Sequence, residues 1–78
     1  MDKFKVLKPF GLTVNLITGH YYYGEPDGIK KTAKEFGNIN YEIKDKNDII
    51  EVAESKNPKL HRILLKAAKM GFVELVKD

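Results

Sequence analysis

Residues 57–78 read NPKLHRILLKAAKMGFVELVKD and carry both end signals of an amphipathic helix that leads into a strand. Asn57 is a favourable N-cap, Pro58 suits the first helical turn, and Gly71 suits the position after the last turn. The apolar run at residues 72–76 predicts the strand. From steps of three and four residues, the core-facing side of the helix is predicted to contain Leu60, Ile63, Leu64, Ala67 and Met70.

The same helix carries a second row of side chains, which we call the basic stripe: Lys59, Arg62, Lys66 and Lys69. Because each helical residue advances by about 100°, this stripe lies roughly 120° around the helix from the apolar side. Cations at this spacing can neutralise successive phosphates, so we predict that the basic stripe binds nucleic acid. The competing interpretation is a solvated helix face without a ligand.

Residues 64–78, LLKAAKMGFVELVKD, resemble the passage from recognition helix to wing in winged-helix proteins, where a helix ends at a glycine and an apolar strand follows. The resemblance covers about a fifth of the chain and implies that the helix contacts DNA. The basic stripe contains one arginine, whereas base readout usually uses Arg, Asn or Gln. The contact expected from lysines is therefore with the phosphate backbone.

The composition favours one small folded domain. Seventy-eight residues allow a single core, and 42% hydrophobic with 32% charged residues predicts a globule. The absence of cysteine excludes disulfides and thiolate metal sites, and the net charge of +3 is compatible with polyanion binding. We expect a soluble cytoplasmic protein with no membrane contact, because no segment approaches the roughly 20 apolar residues of a membrane span.

The rest of the chain supplies what the closing helix packs against. Alternation predicts strands at residues 12–18 and 39–44, and a short strand or ordered arm at residues 3–8. The strands at residues 3–8 and 12–18 could form a hairpin around residues 8–11. Between them and the 39–44 strand, a helix is predicted that faces the core with Ile29, Thr32, Ala33 and Phe36.

Residues 45–56 predict a short acidic helix, which would come directly before the basic one and neutralise part of its stripe. The strand at 39–44 is expected to have one solvent-exposed face. A sheet exposed on one face leaves only the other face for the helices, so the helices are expected on that side. We therefore predict an α+β fold: a single two-layer α/β domain with a mixed sheet of three or four strands. The predicted order is strand, strand, helix, strand, helix, helix, strand.

Residues 19–28, GHYYYGEPDG, form an unusual predicted loop with three consecutive tyrosines, Tyr21, Tyr22 and Tyr23. In an extended segment these rings would alternate between core and surface. The competing interpretation is a partner-binding surface, because tyrosine is enriched where partners dock or stack. The glycine spacing does not make a phosphate-binding loop, since Glu25 stands where that loop requires a lysine.

The sequence shows no recognisable catalytic or cofactor site. His20 and His61 lack the paired spacing of metal ligands, and the available hydroxyl nucleophiles stand beside no histidine in sequence. We predict no enzymatic activity, no metal and no cofactor. The predicted function is that of a small non-catalytic binding or regulatory protein that contacts nucleic acid through its basic helix. The alternative is a protein–protein interaction module or small inhibitor that docks through the tyrosine loop or a sheet edge, with homodimerisation as one form of it.

Overall fold

The computed structural model describes residues 1–35, 37 and 40–76. The predicted positions Phe36, Ile39, Lys77 and Asp78 lie outside these residues. Within the described part, the α+β class is confirmed by six strands and two helices. In chain order these are β1 (Asp2–Val6), β2 (Phe10–Val14), β3 (Tyr21–Gly24), α1 (Pro26–Glu35), β4 (Tyr41–Lys44), β5 (Ile49–Val52), α2 (Pro58–Lys69) and β6 (Val73–Val76).

The strands form two separate three-stranded antiparallel sheets. One sheet has the order β5–β1–β6 and is called the β1 sheet; the other has the order β3–β2–β4 and is called the β2 sheet. The predicted single mixed sheet is therefore wrong. So is the predicted hairpin around residues 8–11, because β1 and β2 are the central strands of different sheets.

The β2 sheet is covered on both faces. On one face Gly11 lies directly against α1, where a Cβ atom added to Gly11 would be 2.7 Å from the Cβ atom of Ile29. On the other face Phe10 and Leu12 enter the main core. The two helices thus lie on opposite faces of this sheet, and the prediction of helices on one face is wrong because β2 is buried on both sides.

The main core lies between the inner faces of the two sheets and α2. Fully buried Phe4 and Val6 on β1 face this core, and Phe72, in the connection from α2 to β6, packs its ring near those of Phe10 and Tyr23. The other buried residues of this core come from β5, α2 and β6: Ile50, Val52, Leu64, Ala67 and Val73. On the far side, Ile29 and Ala33 of α1 are buried as predicted.

The ends of α2 confirm the predicted caps. The side-chain oxygen of Asn57 accepts a hydrogen bond from the backbone N–H of Leu60 at 3.2 Å. At the other end Gly71 has φ +84, and the amides of Gly71 and Phe72 bond back to the carbonyls of Ala68 and Ala67. This pair of bonds is a Schellman motif, which a glycine with positive φ permits at little cost.

Two positions on α2 differ from the prediction. Met70 is 63% exposed because it is the C-cap residue and points away from the core. His61, which is not among the residues predicted to face the core, is only 6% exposed. The buried side of the helix is therefore centred on His61, Leu64 and Ala67, and it is rotated slightly from the predicted side.

The predicted acidic helix at residues 45–56 is a turn followed by β5. The turn is closed by a hydrogen bond from the backbone N–H of Asp45 to the carboxylate of Asp48 at 2.8 Å, and Asn47 adopts φ +76. The β-branched residues that follow suit a strand, and Ile50 pairs with Phe4 on β1. Turn chemistry and sheet pairing therefore outweighed the apolar spacing that favoured a helix.

Candidate functional site

A groove runs between the first turns of α2 and the loop that joins β2 to β3. It is lined by His20, Tyr21, Lys59, Arg62, Ile63 and Lys66, and we call it the basic groove. One wall comes from α2, whose residues at helical steps of three and four face the same way. The other wall comes from the start of β3. The structure thus brings one predicted tyrosine together with three of the four residues in the basic stripe.

The cations of the basic stripe are exposed along one side of α2. Lys59, Arg62 and Lys66 extend for about 10 Å along the helix axis, at 1.5 Å per residue. Lys69 is also exposed and continues the stripe one turn beyond the groove, but it does not line it. The helix therefore presents a row of positive charge rather than a single point charge.

The predicted neutralisation of the stripe by neighbouring acidic residues is not observed. Glu51, which was expected on an acidic helix beside the stripe, lies on β5 and pairs with Lys3 at 3.9 Å. The other ion pairs within the described residues are Lys44 with Glu42 and His61 with Asp2. None of these pairs among the described residues uses a cation of the basic stripe.

Lys59 occupies a position that the helix itself disfavours. It lies in the first turn of α2, which contains no acidic residue. The N-terminal end of a helix carries partial positive charge, so a cation there costs about 0.3–1 kcal/mol of stability and an anion is favoured. An anionic ligand in the groove would meet both the lysine and the helix end.

Tyr21 connects the groove to the helix cap. Its hydroxyl accepts a hydrogen bond from the side-chain amide of Asn57 at 3.4 Å. Tyr21 is half-buried and pairs with Val14 across the sheet. Its ring also lines a second groove with an apolar floor of Leu12, Val14, Ile50 and Leu60. Tyr21 therefore stands between the two grooves.

The three tyrosines lie on β3, which confirms the predicted alternation in an extended segment. Tyr23 faces the core, where its ring meets that of Phe72 edge-on with centroids 6.0 Å apart. Tyr22 points to the opposite face of the sheet and is exposed. The structure does not bring the three rings together as one partner-binding surface.

The loop between β2 and β3 contains functional candidates that the sequence pattern missed. A strand was predicted through residue 18, but β2 ends at Val14 and the chain turns at Asn15. The side-chain oxygen of Asn15 accepts hydrogen bonds from the backbone N–H groups of Ile17 and Thr18 at 2.9 and 3.2 Å. Because the chain turns back at Asn15, the loop places His20 at the basic groove. An asparagine followed four residues later by glycine is a turn signal that could have located this loop.

The two histidines lie in different environments, one in the basic groove and one in the protein interior. His20 lines the basic groove, whereas Nε2 of the buried His61 lies 2.7 Å from Oδ2 of Asp2 and its ring packs edge-on against Phe4. Across the residues that the structure describes, no three His, Asp or Glu side chains are grouped to hold a metal ion. The acidic side chain that contacts His61 is Asp2 of β1.

The resemblance to winged-helix proteins does not extend to the fold. A helix-turn-helix places a second helix before the recognition helix, whereas α2 is preceded by β5. The strand after α2 pairs with β1 and belongs to the β1 sheet. Any contact between α2 and a nucleic acid would therefore use a different geometry.

Comparisons of the chain with protein-family models, with curated proteins and with solved structures gave no significant match. In the described part of the chain, neither helix has the length and apolar character that crossing a bilayer requires.

Proposed function

We propose that this chain is a small non-catalytic nucleic-acid-binding protein that contacts phosphates through the basic groove. The observation that carries the proposal is the row of cations Lys59, Arg62 and Lys66, which shares one groove with His20 and Tyr21. These cations are exposed, and none forms an ion pair with another described residue.

The groove suits a charged backbone better than an isolated anion. Its cations are spread over about 10 Å of helix, which corresponds to the axial rise of roughly three base pairs of duplex DNA at about 3.4 Å each. Lysine predominates, so the groove is suited to hold the backbone and to bind with little preference for sequence. Lys69 would add a contact at the end of the same row.

The decisive experiment reverses two charges in the groove and compares them with two charges elsewhere. The test variant is Arg62→Glu/Lys66→Glu, and the matched control is Lys30→Glu/Lys31→Glu, which makes the same charge change on exposed residues of α1. Binding to duplex and single-stranded DNA is measured by fluorescence anisotropy over about 50 to 300 mM salt.

The test variant should bind at least about tenfold more weakly at low salt, and the slope of log affinity against log salt should fall by about two. The control should change the affinity less and leave the slope nearly intact. Equal affinity of wild type and test variant for both forms of DNA would refute the proposal, as would an equal loss in the control.

A protein partner is the second candidate, and the edge of the β1 sheet favours it. Among the described residues β6 pairs only with β1, and its exposed Leu75 and Val76 leave apolar surface at this edge of the sheet. Such an edge can accept a strand from a partner or from a second copy of the chain. Native mass measured over a range of protein concentrations tests the second copy: a dimer that Val76→Lys dissociates would support it, and a monomer at all concentrations would exclude it.

A further inference from the structure

We propose that the tip of the β2–β3 hairpin, formed by Leu16 and Ile17, is a wedge that enters a base step of duplex DNA held by the basic groove. This proposal rests on the proposed function, and it specifies the class of nucleic acid and the manner of its deformation.

The first observation is the exposure of two adjacent aliphatic side chains. Leu16 is 67% and Ile17 is 95% exposed, in the turn of the loop that joins β2 to β3. Single exposed aliphatic residues are common on protein surfaces. Two adjacent aliphatic side chains in one loop, however, leave most of their apolar surface exposed and lie outside the core cluster.

The second observation is the stiffness of the loop. Besides the two bonds to the side chain of Asn15, the backbone N–H of Gly19 bonds to the carbonyl of Asn15 at 2.7 Å, and that of His20 bonds to the hydroxyl of Thr18 at 3.3 Å. Gly19 has φ +76, which suits a glycine. The loop is thus held in one shape, and little conformational entropy would be lost when its tip is inserted.

The third observation is the position of the tip beside positive charge. A Cβ atom added to Gly19 would lie 2.8 Å from Nζ of Lys59, so the loop rests against the first cation of the basic groove. Ile17 is two residues from this contact and therefore within about 7 Å of chain length. A backbone bound along the groove would pass next to the tip.

These features together match the way architectural proteins deform duplex DNA. Such proteins insert Leu or Ile wedges from the minor groove, unstack a base step and bend the duplex while cations hold the flanking phosphates. A hairpin tip of two aliphatic residues can reach into a minor groove that is about 6 Å wide and whose width opens at the kink. A bilayer is the other environment for such a tip, and a vesicle-binding measurement separates it from DNA.

The test uses the full chain and a duplex of about 20 base pairs, with 2-aminopurine at the central step and a donor–acceptor pair at the ends. Wild type should raise the 2-aminopurine fluorescence, which reports unstacking, and should raise the end-to-end energy transfer, which reports bending. Leu16→Ser/Ile17→Ser should abolish both signals, weaken binding by about tenfold, and keep the salt slope of wild type.

The matched control is Leu7→Ser/Ile49→Ser, which removes one exposed leucine and one exposed isoleucine that do not belong to the hairpin. It should retain both signals. Both double variants should keep the far-UV spectrum of wild type, because all four side chains are exposed.

Binding of wild type without either signal would overturn the wedge while leaving the proposed function intact. Failure of wild type to bind any nucleic acid would refute both. Tip-dependent binding to phosphatidylglycerol vesicles, with no change in the DNA reporters, would overturn the wedge in favour of a bilayer.

Discussion

The side chain of Asn57 bonds in two directions, and one of its partners is Tyr21. Its oxygen accepts from the backbone of Leu60 and caps α2, while its amide donates to the hydroxyl of Tyr21 at 3.4 Å. The residue that starts the helix thus also positions a wall of the basic groove. One side chain therefore contacts both the start of α2 and a residue of the groove.

Substitution of Asn57 separates these two roles. Asn57→Ala should lower the free energy of unfolding by about 1 kcal/mol, because the cap is lost. Asn57→Asp keeps a capping oxygen and removes the donor to Tyr21, so it should retain nearly all of the stability. Tyr21→Phe, which removes only the long hydrogen bond, should cost at most about 0.5 kcal/mol. Urea denaturation measures all three; equal losses in Asn57→Ala and Tyr21→Phe would contradict the capping role.

Lys59→Glu should change stability and binding in opposite directions. Glutamate in the first turn of α2 interacts favourably with the helix dipole, so the free energy of unfolding should rise by about 0.3–1 kcal/mol at low ionic strength. Affinity for DNA should fall, because a groove cation is replaced by an anion.

Lys69→Glu is the control for this substitution, because it lies in the last turn of the same helix and outside the groove. It should lower stability by a similar amount and weaken binding less. Thermal denaturation at low salt and anisotropy measure the two effects. A Lys59→Glu variant that is both less stable than wild type and equally tight in binding would contradict the role given to this lysine.

Gly11→Ala should destabilise the fold by about 1–3 kcal/mol, because the new methyl group overlaps Ile29. Gly28→Ala is the matched control on the exposed side of α1, where an added Cβ atom meets nothing within 4 Å. It should stabilise the protein by about 0.5–1 kcal/mol through helix propensity. Urea denaturation checks both signs, and destabilisation of equal size at the two glycines would show that the contact with Ile29 is not what matters at Gly11.

Asp2→Ala should remove the acceptor for the buried ring of His61 and lower the free energy of unfolding by about 1–2 kcal/mol. Asp2→Asn retains an oxygen acceptor and should cost less. A second readout is the imidazole NMR signal of His61, which should shift in Asp2→Ala and much less in Asp2→Asn. Full stability of Asp2→Ala would mean that the 2.7 Å contact does not secure β1 against α2.

The parts of the fold that were predictable are those with local signals. The caps of α2 at Asn57 and Gly71 and the buried positions Ile29 and Ala33 of α1 follow from spacing and end residues. The strand β5 was misassigned because Ile49, Ile50 and Val52 fit helical spacing as well as a strand. The turn at residues 45–48 and the pairing with β1, which is remote in sequence, decide between them.

The division into two sheets was not predictable from local pattern. β1 and β2 are joined by a short link, which favours a hairpin, yet each strand pairs with strands farther along the chain and the two belong to different sheets. The same limit applies to the candidate site. The basic stripe could be read from helical spacing, but its meeting with Tyr21 and His20 depends on where the β2–β3 hairpin packs.

The most direct test of the central claim is an NMR titration of the isotope-labelled chain with a short duplex, which reports where binding occurs. Amide signals of residues around the groove should shift progressively, led by His20, Tyr21, Lys59, Arg62 and Lys66. Signals from the exposed face of α1 around Lys30 and Lys31 should stay in place. Shifts confined to α1 or to the β6 edge, or no shifts at low salt, would contradict the claim that the basic groove binds nucleic acid.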